Sequence, residues 1–264
     1  MAPIAQAEKG FIFMASTIGP IDAGIVAALE NGFEKESGIR VRHVGAGTGE
    51  ALMIAEKGSI DLVMVHARSL EEKFVADGFG TERIPLMYND FVIVGPKKDP
   101  AGIRGMKSAS EALTRIAVME ETFVSRGDKS GTHMAETDLW GRAGKKPGGP
   151  WYIIYEKGSE GNAPTLRFAS NSSAYTLIDR ATFISIRKEI KLEILVEGDD
   201  ALLNHISLIP VSPQKFPQVN SEDVRTFVDW LVSPVKGQKI IAEFGKDKFG
   251  AALFFPDSKA WHQK

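Results

Sequence analysis

The sequence predicts an α/β fold in two hinged lobes, on three observations. Short apolar runs alternate with amphipathic segments along most of the chain, polar Gly- or Ser/Thr-containing turns follow several of those runs, and two helical segments near the C-terminus have no strand beside them. Such alternation predicts a mostly parallel sheet with helices on both faces.

The elements follow in order. Residues 11–14 read as a buried strand, 16–20 as a turn and 22–36 as a helix. A strand over 39–44 leads into Gly45-Ala46-Gly47-Thr48-Gly49, a helix to about residue 57, a strand over 61–65 and a helix over 69–76. A β-rich stretch spans 83–95, and a second helix–strand series runs from 108 to about 195, interrupted at 143–150 and 158–164 by polar Gly/Pro-rich sequence. A strand-like run over 201–211 precedes helices at 221–231 and 235–244, which return to the first lobe. Two crossings, near 86–94 and 203–209, then define lobe 1 as residues 1–88 plus 208–264 and lobe 2 as 89–207, a hinged clamshell with its site in the cleft.

Composition narrows the functional classes. The 264 residues are 43% hydrophobic and 25% charged, an ordinary globular balance. With 32 Lys and Arg against 34 Asp and Glu, the net charge of -2 offers no general attraction to nucleic acid or an anionic membrane, so any anion site is local. The absence of cysteine excludes disulfides, thiolate zinc sites and a thiol nucleophile. No apolar run approaches the roughly 18 residues of a membrane span. Residues 1–10 carry one basic side chain, Lys9, and no apolar core, so they do not read as a secretory signal: the expectation is an intracellular protein or one whose leader has been replaced.

The segment Phe123-Val124-Ser125-Arg126-Gly127-Asp128-Lys129-Ser130-Gly131-Thr132-His133 lies between an apolar strand and a helix. Ser130 or Thr132 can cap that helix, its first-turn N–H groups are free for an anion, and Arg126 supplies permanent charge with directed donors. Gly45-Ala46-Gly47-Thr48-Gly49 is a second candidate, with a hydroxyl at Thr48, and Ser16-Thr17 at the end of the first strand is a third. Neither the dinucleotide fingerprint nor the P-loop pattern is present. Turns at the carboxyl ends of sheet strands converge on one crevice, and together these residues make a donor set for a small dianion carrying no proton. His43, His66, His133, His205 and His262 are scattered without metal-ligand spacing, and no cofactor is called for. A hydrolase using Ser130 and His133, with Asp128 nearby, is the alternative of a different class; local adjacency does not supply the oriented base a triad needs.

These segments, with Met87-Tyr88-Asn89-Asp90-Phe91-Val92-Ile93-Val94-Gly95 and Ala174-Tyr175-Thr176-Leu177-Ile178-Asp179-Arg180, resemble the tungstate-binding proteins of bacterial ABC importers, from about residue 11 to 256. The resemblance implies a two-lobed type II periplasmic-binding fold, no catalysis and an oxyanion, tungstate or molybdate, held in the interlobe cleft. It further implies a periplasmic or extracellular monomer that delivers its ligand to a membrane permease and has no nucleic-acid partner. Carried over by position, Arg126, Ser130 and Thr132 grip the anion from one lobe, and Thr48 with Ser16 and Thr17 from the other. The family usually has a Thr-Thr-Thr-Ser run where this chain reads Ser16-Thr17-Ile18-Gly19, and its later Gly-Met-Gly loop appears as Gly158-Ser159-Glu160-Gly161-Asn162. A lost neutral hydrogen bond costs about 0.5–1.5 kcal/mol, up to roughly tenfold in affinity, so the same scaffold serving another small anion, as binder or sensor, is the second reading.

Overall fold

A computed structural model describes residues 10–263; the reading of the first ten residues therefore falls, apart from Gly10, outside the described part. The strands are β1 (Phe11–Thr17), β2 (Arg40–Ala46), β3 (Leu62–Val65), β4 (Ile84–Pro96), β5 (Phe123–Ser125), β6 (Tyr152–Ile154), β7 (Tyr175–Asp179), β8 (Leu192–Val196), β9 (Leu203–Pro210) and β10 (Phe255–Pro256). Two compact units divide the chain, Met1–Tyr88 with His205–Lys264, and Asn89–Asn204. The second crossing falls after Asn204, three residues before the 207/208 boundary read from the sequence. Local bonding explains the position: the Asn204 side chain donates to Asn89 Oδ1 at 2.7 Å within unit 2, whereas His205 pairs with Asp257 at 2.8 Å within unit 1.

In unit 1 the strand order is β2-β1-β3-β9-β4. β1 runs parallel to β2 and β3, β9 antiparallel to β3, and β10 antiparallel to β4. Ala15, Val63, Val65 and Ile209 form one core face, covered by Leu52 and Ala55 from helix Thr48–Ala55 and by Phe74 from helix Arg68–Ala76. Elsewhere in the unit, Phe33 of helix Ile25–Ser37 meets the rings of Phe227 and Trp230, with centroids 4.6 and 5.7 Å away. The turn expected over 16–20 is absent. β1 continues to Thr17, helix Ile18–Ala23 starts at the next residue, and Gly24 at φ 87° separates it from helix Ile25–Ser37. Pro20 is the third residue of its helix, where no intrahelical N–H bond is lost.

Unit 2 repeats the scheme with β5 parallel to β6 and β7, and β4 antiparallel to β7 and β8. The period of two sorts its core. Phe91, Ile93, Phe123, Tyr175 and Leu177 pack with Leu113 and Trp140 from helices Ala109–Val118 and Gly131–Arg142, while Val92, Val94, Val124 and Ile178 pack with Leu166 and Ala169 from helix Asn162–Asn171. Two expectations are corrected. The sheets are mixed rather than mostly parallel, because β4 and β9, the strands on which the chain crosses, enter antiparallel to their partners. The interruption expected over 158–164 is a 3₁₀ turn, Gly158–Glu160, followed at once by helix Asn162–Asn171, with Pro164 again at the third helical position.

Candidate functional site

In unit 2 the site grows from the end of β5. After Ser125 the backbone takes left-handed values at Gly127 (φ 65°) and Lys129 (φ 61°), which turn the chain so that Ser130 caps helix Gly131–Arg142. The Ser130 hydroxyl accepts the His133 N–H at 3.3 Å. Of the two capping residues allowed by the sequence, Ser130 is the cap, and Thr132 instead donates its hydroxyl to Asn162 Oδ1 at 3.1 Å.

Arg126 is mostly buried, with 11% of its side chain exposed. Its Nη2 donates to Asp128 Oδ2 at 2.5 Å and its Nη1 to Asn162 Oδ1, while Nε is buried without a partner. Asn162 in turn donates from Nδ2 to Asp179 Oδ2 at 2.6 Å, and Asp179 caps helix Arg180–Ser185 by accepting the Thr182 N–H at 2.8 Å. Burial alone would raise the Asp128 carboxyl, but hydrogen bonds from Ser130 and the Arg126 charge outweigh it and hold Asp128 below the usual carboxylate value. Asp90 is likewise engaged: both its oxygens accept from Arg180, at 2.6–2.9 Å. Asp128 and Asp90 are thus both committed to arginines.

Behind this loop lies Glu136, 2% exposed, which accepts from Tyr152 Oη at 2.6 Å and Trp140 Nε1 at 3.2 Å. The Ser125 hydroxyl, outside full hydrogen-bond geometry, faces the same carboxyl. Desolvation dominates over these bonds and lifts the carboxyl to about 7. In the unfolded chain Glu titrates near 4.5, so the folded state holds the extra proton between those values. This component of stability is full below about pH 4.5, declines as pH rises toward 7, and levels off beyond, a loss of about 3 kcal/mol. Glu136→Gln is expected to remove this component of the slope; denaturant melts of variant and wild type at pH 5 and 8 check it.

Unit 1 assembles its own donors. The parallel register pairs Ser16 with Gly45 and Thr17 with Ala46, so the carboxyl ends of β1 and β2 lie side by side, and Thr48 opens the helix two residues past β2. Ser16 and Thr17 are buried, and the hydroxyls of Thr17 and Thr48 have no protein partner. Gly47 sits at φ -69°, and a Cβ at Gly47 or Gly49 would meet nothing within 4 Å. These glycines are not forced by the turn; they leave space before the helix.

The hydrolase arrangement does not form. His133 Nδ1 accepts the Lys129 backbone N–H at 2.8 Å, Ser130 Oγ is used as a cap, and Asp128 pairs with Arg126. Among the described residues, no group of three or more His, Cys, Asp or Glu could hold a metal ion. Sequence reasoning gave no role to Asn162, Asp179 or Glu136. The signal for Asp179 was present, since it follows a buried apolar strand and precedes a helix, the position of a cap.

Hydroxyls, a guanidinium and helix starts at strand ends, carried on two α/β units, fit the two-lobed type II periplasmic-binding fold of solute-binding proteins. The model of the PBP superfamily domain matches residues 5–235. The chain is 39% identical over 252 residues to a tungstate-binding protein of Peptoclostridium acidaminophilum, covering 95% of this chain and 87% of that one. It is 36% identical to the tungstate-binding protein of Campylobacter jejuni, over 90% of this chain and 88% of the other. Among solved structures, the tungstate-binding protein of Desulfovibrio alaskensis aligns with TM-score 0.86 and 40% identity over 94% of this chain and 99% of that one. The chain belongs to the PBP superfamily and, within it, to the family of these tungstate-binding proteins.

Proposed function

We propose that the protein captures a tetrahedral oxyanion, tungstate or molybdate, for an ABC importer, with Arg126, Ser130 and, through its first-turn backbone N–H, Thr132 of unit 2 and Ser16, Thr17 and Thr48 of unit 1 as the binding residues. The observation that carries this reading is the set of unspent donors. Thr17 Oγ1, Thr48 Oγ1 and Arg126 Nε, on three of the six residues named from the sequence, are buried polar atoms with no protein partner. A buried donor left unpaired costs about 1–3 kcal/mol, and an oxyanion rich in acceptors and lacking a proton relieves that cost. Arg126 offsets charge, and the hydroxyls take the place of hydration. The family of importer-associated relatives supports a membrane permease as partner and a periplasmic or extracellular place of work.

A second reading, another small anion on the same scaffold, rests on Ile18 and Gly19, which stand where the family usually has hydroxyls; Ile18 is exposed as the first residue of its helix. Thermal shift with tungstate, molybdate, sulfate and phosphate separates the two. A ligand that binds only the folded chain adds about 4 kcal/mol at a thousand times its Kd, which raises the Tm by roughly 10 °C for a chain of this size. Tungstate and molybdate are expected to give shifts of that order; a shift from sulfate or phosphate alone favours the second reading.

A further inference from the structure

We propose that Glu136 is a positioning residue whose proton is coupled to anion capture: the neutral carboxyl accompanies the bound dianion, and its ionisation weakens binding. The proposal rests on the oxyanion reading above. Glu136 lies four residues beyond Thr132 and six beyond Ser130 on one helix, so its backbone is about 6–9 Å along the axis from the residues facing the anion. Its side chain leans back toward the helix N-terminus, as Cβ atoms on a helix do. It ties that helix to both strands behind the loop, through Tyr152 of β6 and by facing Ser125, the residue immediately before Arg126.

Among the described residues, no cation pairs with this carboxyl. The hydrogen bonds it accepts come from Tyr152 and Trp140, both neutral. Helix Ala109–Val118 turns Ala112, Leu113 and Ile116 into the surrounding core, β5 contributes Phe123, and Tyr175 of β7 gives its hydroxyl to Asp99. Among the described residues, Tyr152 is thus the titratable group bonded to it. Arg126, in the loop before this helix, is ion-paired with Asp128 and so offsets only part of a dianion's charge, and the His133 ring on the same helix accepts the Lys129 N–H through Nδ1. A dianion therefore brings net negative charge to this loop, and an ionised Glu136 adds more in a poorly solvated interior, where charges interact more strongly than in water. The carboxyl titrates near 7, within the range where this matters. By linkage, the anion raises the proton affinity of Glu136 by the same factor that the proton raises anion affinity.

The test is tungstate calorimetry on the full chain at pH 6.5 and 9, in buffers of different ionisation heat. Wild type is expected to bind about tenfold more weakly at pH 9 and to take up a fraction of a proton on binding near pH 8. Glu136→Gln is expected to lose both effects, and His133→Gln to keep the slope. Equal affinity at the two pH values in wild type, or a slope retained in Glu136→Gln, overturns the proposal while leaving oxyanion binding intact. Wild-type protein that binds tungstate at neither pH overturns the reading on which the proposal rests. Should Glu136→Gln not fold, carbon-13 titration of the Glu136 carboxyl in wild type decides instead: its midpoint is expected to rise by about one pH unit with tungstate, and an unchanged midpoint refutes the coupling.

Discussion

Arg126→Ala is expected to raise the Kd for tungstate about 100- to 1000-fold. Truncating one partner of a buried, hydrogen-bonded charge pair costs about 2–5 kcal/mol, and Arg126 is the charge in the proposed donor set. The substitution has a second consequence, because Asp128 and Asn162 both bond to this guanidinium and lose their donor. A loss of stability therefore accompanies the loss of affinity, and the two must be measured separately. Arg126→Lys separates them: it keeps the charge but not the planar fork, and an intermediate loss of about tenfold is expected. Calorimetric titration of both variants, with thermal melts in parallel, checks the expectation. Wild-type affinity in Arg126→Ala would remove Arg126 from the site.

Gly158→Ala is expected to damage the same loop from behind. A Cβ at residue 158 would lie 1.9 Å from the Arg126 carbonyl oxygen, a contact with backbone rather than with a movable side-chain end. Neither side is free to retreat. The Gly158 N–H is bonded to Tyr155 O at 2.9 Å, and the Tyr155 N–H to Ser125 O at 2.9 Å, so residue 158 is tied back to the strand that leads into Arg126. Overpacking of this kind costs about 3 kcal/mol or more, equivalent to a Tm lower by roughly 10 °C. Tungstate affinity should fall with it, since the displaced carbonyl belongs to Arg126. Gly148→Ala, where a Cβ meets nothing within 4 Å, is the control and should change stability by less than about 0.5 kcal/mol. Denaturant melts of the two variants give the comparison.

The sequence is legible where its signals are local. Alternating runs mark the strands, and a Ser/Thr pair follows an apolar strand and a tight turn, so a cap at Ser130 or Thr132 and the position of Arg126 can be read from adjacency, though not which of the two is the cap. Two errors share one cause. Pro20 and Pro164 read as punctuation, yet each occupies the third position of a helix, where the missing N–H costs no bond, so local sequence cannot distinguish the breaker from the helix start. The mixed sheets were illegible for another reason: strand direction is a property of pairing between distant segments, and β4 and β9 carry no composition that distinguishes antiparallel from parallel neighbours. The same holds for the inner layer of the site. Asn162 meets Arg126 across 36 residues of sequence, and Glu136 meets Tyr152 across 16, with no motif spanning either pair. Thr132, read as a candidate cap, takes its partner from that layer too, since its hydroxyl is spent on Asn162.

The most direct test of oxyanion capture is a calorimetric titration of folded, ligand-free protein with tungstate, molybdate, sulfate and phosphate at one ionic strength. One-to-one binding of tungstate or molybdate, tighter than that of sulfate and phosphate, is the predicted result. No binding of any tetrahedral oxyanion would contradict the account.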